Sequence, residues 1–426
     1  MLPKWIKYKL MIFLLVISYS LMRAQVKQIN IDEAIESAVK SHPLNGHKSL
    51  LTDQSRLNIK YLEKKNLPNI DFNAQASLQS ESINLEFPLP KFEPISLPLY
   101  RAQADIESNY LLYDGGIKKA LINNEKLKSK IEQQDIETKL YQLKDNVVDI
   151  YYSIMLLEKQ KDILDSSMLV LITQEKIVNT AINNGVALRS DLDKLEMEKI
   201  KLNQRKATIQ NKIITLKVVL GDLTGLDLSK AQFTLPHSFV KSNIDWSNRP
   251  EFLLLRDKKE LLEQSKSIIK SKKKPKVVLF AKTGVGYPNP FNFFDDNIAP
   301  FAIGGVKFMW NIWDWKKSSI EEQKLEIKKS LIDNQKSILD KNIKKQINKL
   351  VSEIEGIESN KHFDKELIKK QEIIIETIKN QYQNGIANIS DYTKELNTKT
   401  IMEIQSAIHD LEEQKLKYKL KILLNK

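Results

Sequence analysis

The sequence predicts a mainly α-helical fold with a membrane β-barrel contribution, built from an internal two-fold repeat. Three observations predict it. One pattern occurs twice: Pro43 and Pro68 are matched by Pro250 and Pro275, with the same internal spacing (68 − 43 = 25; 275 − 250 = 25). Asp114, Gly185 and Asp191 are matched by Asp314, Gly385 and Asp391 at a constant offset of 200. Steady spacing across unrelated residue types marks two copies of one unit. Next, the stretch from Asp114 to about Asn183 has no proline and carries a heptad seam. Finally, short blocks of alternating polarity precede each long helical stretch.

The N-terminus sets the compartment. Lys4, Lys7 and Lys9 precede the apolar run Leu10 to Ile17, and Arg23-Ala24-Gln25 offers a small residue for cleavage. Residues 1–24 therefore read as a secretory signal peptide. The apolar run of about a dozen residues is short of the ~20 that a spanning helix needs. Losing Lys4, Lys7, Lys9 and Arg23 takes the formal charge from +13 to +9. That charge is spread along helices, whereas a nucleic-acid footprint clusters on one face, so no nucleic-acid partner is expected. No later stretch reaches 18 uninterrupted apolar residues, which leaves any membrane role to strands. The chain has no cysteine, which excludes disulfides, thiolate metal sites and a lipid-modified N-terminal cysteine.

The first repeat is placed at 25–220. A helix is expected at 31–66, strands at 69–79 and 100–112, a long helix at 114–183 and a returning helix at 190–220. In the first strand Ile70, Phe72, Ala74, Ala76 and Leu78 alternate with Asp71, Asn73, Gln75, Ser77 and Gln79. The second strand alternates in the same way from Tyr100 to Leu112. These lengths suit outer-membrane strands. In the long helix Ile136, Leu140, Leu143, Val147, Ile150, Ile154, Leu157, Leu164, Met168 and Leu171 keep a 4,3 rhythm with Lys161 as its polar interruption, the mark of a coiled coil. At 1.5 Å per residue it would run ~105 Å.

A linker is expected at 221–249, and the second repeat at 250–426. Its elements are a helix at 251–273, strands at 277–283 and 301–310, a long helix at 314–382 and a helix at 390–423. Ile343, Ile347, Leu350, Ile354 and Ile357 continue the rhythm. In each repeat the long helix is expected to pack against two shorter ones placed end to end. Asn184-Gly185 and Asn384-Gly385 would end the long helices, because glycine tolerates the left-handed cap conformation. Ser190-Asp191 and Ser390-Asp391 would cap the returning helices.

Four strands cannot close a barrel, and an open edge in lipid leaves backbone groups unpaired at several kcal/mol each. Either the strands lie in water, as a soluble four-stranded sheet joining coiled coils, or several chains share one barrel; three would supply 3 × 4 = 12, and the strongly polar second face favours a water-filled lumen. Tyr110, Tyr113, Trp310, Trp313 and Trp315 gather where strand gives way to helix, as an interfacial girdle facing outer-membrane lipids would. The loops from Phe87 to Pro98 and from Gly284 to Pro300 would then lie outside the cell.

Catalytic chemistry is not signalled. The five histidines form no zinc spacing, and there is no phosphate-binding glycine loop and no nucleophile elbow. The reading is a non-enzyme without catalytic, cofactor-binding or metal residues.

Four short motifs, in order and duplicated, carry a resemblance: Ile31-Asp32-Glu33-Ala34-Ile35 with Ala38 and His42-Pro43-Leu44; Leu67-Pro68-Asn69-Ile70; Leu112-Tyr113-Asp114-Gly115-Gly116; and Gly185 through Leu192. Over nearly its whole length the chain resembles the TolC-like outer membrane efflux proteins. The resemblance implies a homotrimer with a 12-stranded β-barrel in the outer membrane of a Gram-negative bacterium and a long-helix α-barrel in the periplasm. It implies a periplasmic adaptor and an inner-membrane pump of RND, ABC or MFS type as partners, with the channel passively conducting substrate for efflux or type I secretion. It also implies a pore constriction. Asp391 matches the first of two aspartates, Lys394 stands at the second, and Ala387 replaces a latch arginine, so a weakened cation preference is expected. The tips around Asn184, Gly185, Val186, Leu188, Asp191, Asn384, Gly385, Ile386 and Ile389 are the expected adaptor contact, with Val186, Leu188, Ile386 and Ile389 as its apolar part. The competing reading is a periplasmic coiled-coil adaptor or scaffold without a pore.

Overall fold

The computed structural model describes residues 28–82, 84–85, 95–235, 246–292 and 295–424. The signal-peptide segment 1–24 lies outside the described residues, as do 87–94 of the first expected loop and 236–245 of the linker. The elements in order are β1 (Gln28–Ile29), α1 (Ile31–Ser41), α2 (Leu44–Lys64), β2 (Asn69–Leu78), β3 (Asn84–Leu85), β4 (Ile95–Ser96), β5 (Tyr100–Tyr113), α3 (Ile117–Asn183) and α4 (Arg189–Thr224). They continue with β6 (Gln232–Phe233), α5 (Pro250–Lys272), β7 (Lys276–Tyr287), β8 (Ala299–Met309), α6 (Lys317–Gln383) and α7 (Ile389–Leu423).

Several boundaries depart from the sequence reading for identifiable reasons. The helix expected at 31–66 is two helices. His42 takes an extended conformation before Pro43, because the proline ring excludes its predecessor from the helical region. The long helices begin three residues late, since Gly115, Gly116, Trp315 and Lys316 all have positive φ and cannot be helical. Strand β7 runs on to Tyr287, so the second expected loop shrinks from 284–300 to 288–298. Gly284 and Gly286 had hidden its alternation.

The chain folds into two compact units, and each draws on both the N- and the C-terminal half of the sequence. One comprises the described residues up to His47, with Ile136–Phe252 and Ile338 onward. Here the heptad seam is buried: Ile136, Leu140, Leu143, Val147, Ile154, Leu164 and Leu171 are all inside. Val147, Val148 and Tyr151 of α3 meet Ile31, Ala34 and Ala38 of α1, Leu220 of α4 and Ile422 of α7. The Tyr151 hydroxyl lies 2.7 Å from the Ile29 and Thr234 carbonyls, tying β1 and the parallel strand β6 to the helices. Burial pushes its phenol up to about 12. Phe252, Ile343, Ile347 and Leu423 form a smaller cluster, against which Arg249 donates to the Leu423 carbonyl at 3.0 Å.

The second unit comprises Lys48–Asp135 and Leu253–Ser337. It contains the antiparallel sheet β2-β5-β7-β8. Its helical segments meet through polar contacts: Asn58 with Glu125 at 2.8 Å, Lys130 with Asp257 at 2.9 Å and Lys259 with Asp333 at 2.7 Å. Thus α3 meets α2 early in its course and α4 later, as in the Leu164–Leu195 cluster. No described helix is long and apolar enough to cross a membrane.

Candidate functional site

The four-stranded sheet is built inside out. Antiparallel register puts Phe72 beside Ile106, Ala74 beside Ala104 and Leu78 beside Tyr100 on one face. The same register puts Asn73 beside Asp105 and Gln75 beside Gln103 on the other. A water-soluble sheet buries its apolar face. Here Ile70 is 76%, Phe72 71% and Leu78 80% exposed, whereas Asp105 is 4% exposed. Asp105 is held by Lys282 at 3.1 Å, Gln103 at 3.0 Å and Asn73 at 3.3 Å. Gly284 stands directly opposite Asp105. A Cβ there would fall 2.2 Å from the Ala104 carbonyl oxygen, so a bare backbone lets the strands close. The polar network thins towards the second repeat. Phe280 and Phe301 share its face, and Phe301 packs edge-on against Phe291.

The aromatic residues expected at the strand–helix junctions occupy different settings. Tyr110 is half-buried on β5. The Trp310 indole donates to the Lys273 carbonyl at 3.0 Å. Tyr113, Trp313 and Trp315 are exposed, with Trp313 and Trp315 edge to face at 5.8 Å. Asp114 accepts from the Gly116 and Lys118 N–H groups, both at 2.8 Å, and so caps α3. Asp314 does the same for α6 through Ser318.

Both helical tips turn by one device. The Val186 N–H donates to the Ala181 carbonyl and the Gly185 N–H to that of Ile182, both at 2.9 Å. The Ile386 N–H reaches Gln381 at 2.8 Å and the Gly385 N–H reaches Tyr382 at 3.0 Å. These are Schellman pairs closed by a left-handed glycine at φ +73° and +71°. The returning helices are not capped by Ser190 and Ser390, which lie inside the first turn. Leu188 precedes α4 without a side-chain cap. Asn388 caps α7 in a reciprocal box: Asp391 N–H donates to Asn388 Oδ1 at 3.0 Å, and Asn388 N–H to the Asp391 carboxylate at 3.2 Å. Asp191 instead faces Lys194 at 3.5 Å. Asn184 and Asn384 are exposed beside their glycines.

The tip surface is narrower than expected. Val186, Leu188 and Ile386 are 77%, 68% and 77% exposed, but Ile389 is fully buried. It belongs to the cluster of Leu164, Leu171, Val178, Leu192, Leu195 and Tyr392 because, as the first helical residue, it points back into the hairpin. Ile389 is an anchor and leaves the contact surface. Lys394 is exposed and Ala387 half-buried. A cleft of about 100 Å³ lies among Ser167, Leu171, Glu198, Asn397 and Thr400, room for a few waters. Burial opposes ionisation of Glu198, but Lys201 and Asn397 outweigh it and hold its carboxyl below the ordinary glutamate value. Among the described residues no group of three or more acidic or histidine side chains could hold a metal ion.

No protein-family model matches the chain, and no curated protein matches it in sequence. Solved structures do match. The outer membrane protein VceC of Vibrio cholerae is 14% identical, with a TM-score of 0.62 over 92% of this chain and 94% of its own. CusC, described with transmembrane channel formation, is 12% identical, with a TM-score of 0.68 over 95% and 94%. The open state of the Neisseria gonorrhoeae MtrE outer membrane channel is 12% identical, with a TM-score of 0.63 over 92% and 88%. Over more than nine-tenths of its length, this chain has the fold of the TolC-like outer membrane channels.

Proposed function

We propose that the chain is one protomer of a homotrimeric exit duct in a Gram-negative outer membrane. The duct would passively conduct substrates received from a periplasmic adaptor and an inner-membrane pump. The inverted sheet carries this reading. Its apolar face is bare, its opposite face holds the Asp105–Lys282 network, and among the described residues two of its strand edges are unpaired. Hydrocarbon suits the first face and a wet lumen the second. The open edges are tolerable in lipid only if other copies close them. Three chains would give a 12-stranded barrel, with Tyr113, Trp313 and Trp315 near its rim. The two helical hairpins would form the periplasmic walls. Their tips, through Val186, Leu188 and Ile386, would present a small apolar surface to the adaptor.

The constriction would lie near Asp391 and Lys394. Asp391 is already engaged by the backbone of Asn388, and Lys394 adds an opposing charge, so the pore should prefer cations only weakly. Reconstitution into planar bilayers tests the proposal. The purified protein should run as a trimer in mild detergent, give step conductances and show a small reversal potential in a KCl gradient. A monodisperse monomer without conductance overturns the duct; a reversal potential close to the ideal cation value removes the role of Lys394.

A further inference from the structure

Along the sequence the positive charge is dispersed; the fold gathers much of it at one level. The pairings Asn69↔Asn109, Tyr113↔Val277 and Lys276↔Met309 bring one end of all four strands together, and there each strand adjoins a helix. The four junction segments, 61–66, 112–120, 270–274 and 314–322, carry ten lysines and five acids. Their net charge, 10 − 5 = +5, is more than half of the +9 of residues 25–426. At the other end of the sheet the sign reverses. Segments 79–99 and 288–298 carry five acids and only Lys91 against them, a net −4.

The chain itself uses little of this junction charge. Lys64, Lys65, Lys273, Lys274, Lys316 and Lys317 are exposed. Among the described residues, Lys272 with Glu321 at 3.6 Å is the one ion pair that a junction lysine makes. Farther along the helices the pattern is opposite: Lys266 and Lys329 each contact both Glu263 and Glu326. Helix dipoles account for only part of the placement. Lys64 and Lys272 close α2 and α5, where a cation is favoured. Lys118, Lys119 and Lys317 stand in the first turns of α3 and α6, which hold no acid, with Lys316 just before. There the dipole opposes a cation. Asp114 and Asp314 cap those two ends, but they are two carboxylates against four lysines. The remaining charge calls for anions outside the chain.

Resting on the membrane placement proposed above, we infer that this basic collar binds the phosphate groups of anionic phospholipids in the periplasmic leaflet of the outer membrane. The bare apolar face begins directly beyond it, at Ile70, Phe72 and Phe308, and Trp313 and Trp315 are exposed at the same level. A lysine beside an apolar belt lays its methylene stem along the belt and keeps its ammonium at headgroup depth. The lysines are spread over four separate segments, which suits a surface of many phosphates and not a single bound phosphate. An anionic leaflet attracts each nearby lysine, so the contacts accumulate. The acidic outer end confines the preference to one leaflet.

Native tryptophans report on this level. Trp310, Trp313 and Trp315 stand at one junction, and beyond residue 24 the only other tryptophan is Trp246. The full-length protein is reconstituted in vesicles of phosphatidylcholine and phosphatidylglycerol, one of the two brominated so that it quenches nearby tryptophan. Phosphatidylglycerol should bind about five-fold more tightly than phosphatidylcholine at low salt, the weight of about one lysine–headgroup contact. The preference should shrink towards unity in about 0.5 M NaCl. Lys64→Gln, Lys65→Gln, Lys316→Gln and Lys317→Gln together should remove it while bilayer conductance persists, and the four arginine substitutions should keep it. Each pair changed alone should remove part, which serves should the fourfold variant fail to insert. Lys344→Gln with Lys345→Gln, on an exposed stretch of α6, should leave the preference intact. A preference that survives the junction changes, or that falls equally with Lys344 and Lys345, overturns the collar but not the duct. Loss of the preference in inorganic phosphate, but not in NaCl of equal ionic strength, overturns the lipid assignment in favour of a discrete phosphate site. Absence of quenching by either lipid, together with absence of conductance, overturns the membrane placement and both readings with it.

Discussion

In the first hairpin, α3 and α4, Leu164 and Ile213 are buried and Ile209 packs on the same cluster as Leu164. Two hundred residues on, the second hairpin, α6 and α7, places Asp364, Glu413 and His409 at those positions. Asp364 and Glu413 are also buried, at 9% and 8% exposure, though less fully than Leu164 at 2% and Ile213 at 4%. Each has a partner: His409 Nδ1 lies 2.7 Å from Asp364, and Glu413 is gripped by Lys361 and Lys417. The two long helices have the same 67-residue length and the same tip turn. One backbone thus accepts either an apolar seam or a fully paired polar one, provided no buried group is left alone. The junctions show a similar contrast. Gly115-Gly116 takes left-handed φ freely, whereas Trp315-Lys316 takes it at a cost of about 1–2 kcal/mol per residue.

These contrasts can be broken from either side. The largest effect belongs to the apolar seam. Leu164→Ala should destabilise the first hairpin by about 2–5 kcal/mol through lost transfer energy and a residual cavity. The matching change in the second hairpin, Asp364→Leu with His409→Ile, should be neutral or stabilising by up to about 4 kcal/mol, because a desolvated pair is replaced by packing. Hydrogen exchange of the hairpin amides reads both. Equal losses in the two hairpins would show that the polar pair is not a substitute for the apolar one.

A smaller effect separates buried from exposed ion pairs. Lys361→Met leaves Glu413 with one cation in place of two and should cost about 1–3 kcal/mol. Lys206→Met, which breaks a pair with Asp165 exposed by 40% on both sides, should cost at most about 1 kcal/mol. The same network sets an acid limit. Burial opposes the Glu413 charge, yet Lys361 and Lys417 hold its carboxyl below its ordinary 4.5. A depressed carboxyl contributes stability that is complete above that ordinary value and is lost as pH falls through the folded one. Exchange in the second hairpin near Glu413 should therefore rise below pH 4.5, and that rise should disappear in Glu413→Ile. An unchanged acid response in the variant would assign the sensitivity elsewhere.

A last test concerns the junction, where gain and loss oppose each other and the net effect is small. Trp315→Gly relieves about 1–2 kcal/mol of backbone strain but removes a ring that is 77% exposed in the single chain and that the proposed barrel would carry near its rim. The isolated chain should gain stability, whereas the assembled form should dissociate at a lower temperature on heated gels. A rise in both would mean that the ring contributes nothing to the assembled form.

Much of this was legible from local pattern. Alternation announced β2 and β5, and the 4,3 rhythm marked the face of α3 that became its core. Both signals are local: a pleat repeats every two residues and a helix every 3.6, whatever lies opposite. The break at His42-Pro43 was equally local and could have been read from the proline alone. Strand β7 was partly missed because Gly284 carries no side chain to show a face. The burial of Ile389 was missed because its neighbours Ile386 and Ser390 gave no sign of which way the first turn would point.

The amino-acid order by itself determined the elements, their duplication and the polarity of each strand face, since these follow from neighbours along the chain. Only the tertiary structure decided the strand order β2-β5-β7-β8 and the joining of the two halves of the sheet through β5 and β7. It also decided the capping of α7 by Asn388 and which of the matched helix positions are paired charges. Those outcomes depend on which groups distant in sequence meet, and hydrogen bonds, desolvation and close packing act only once they have met.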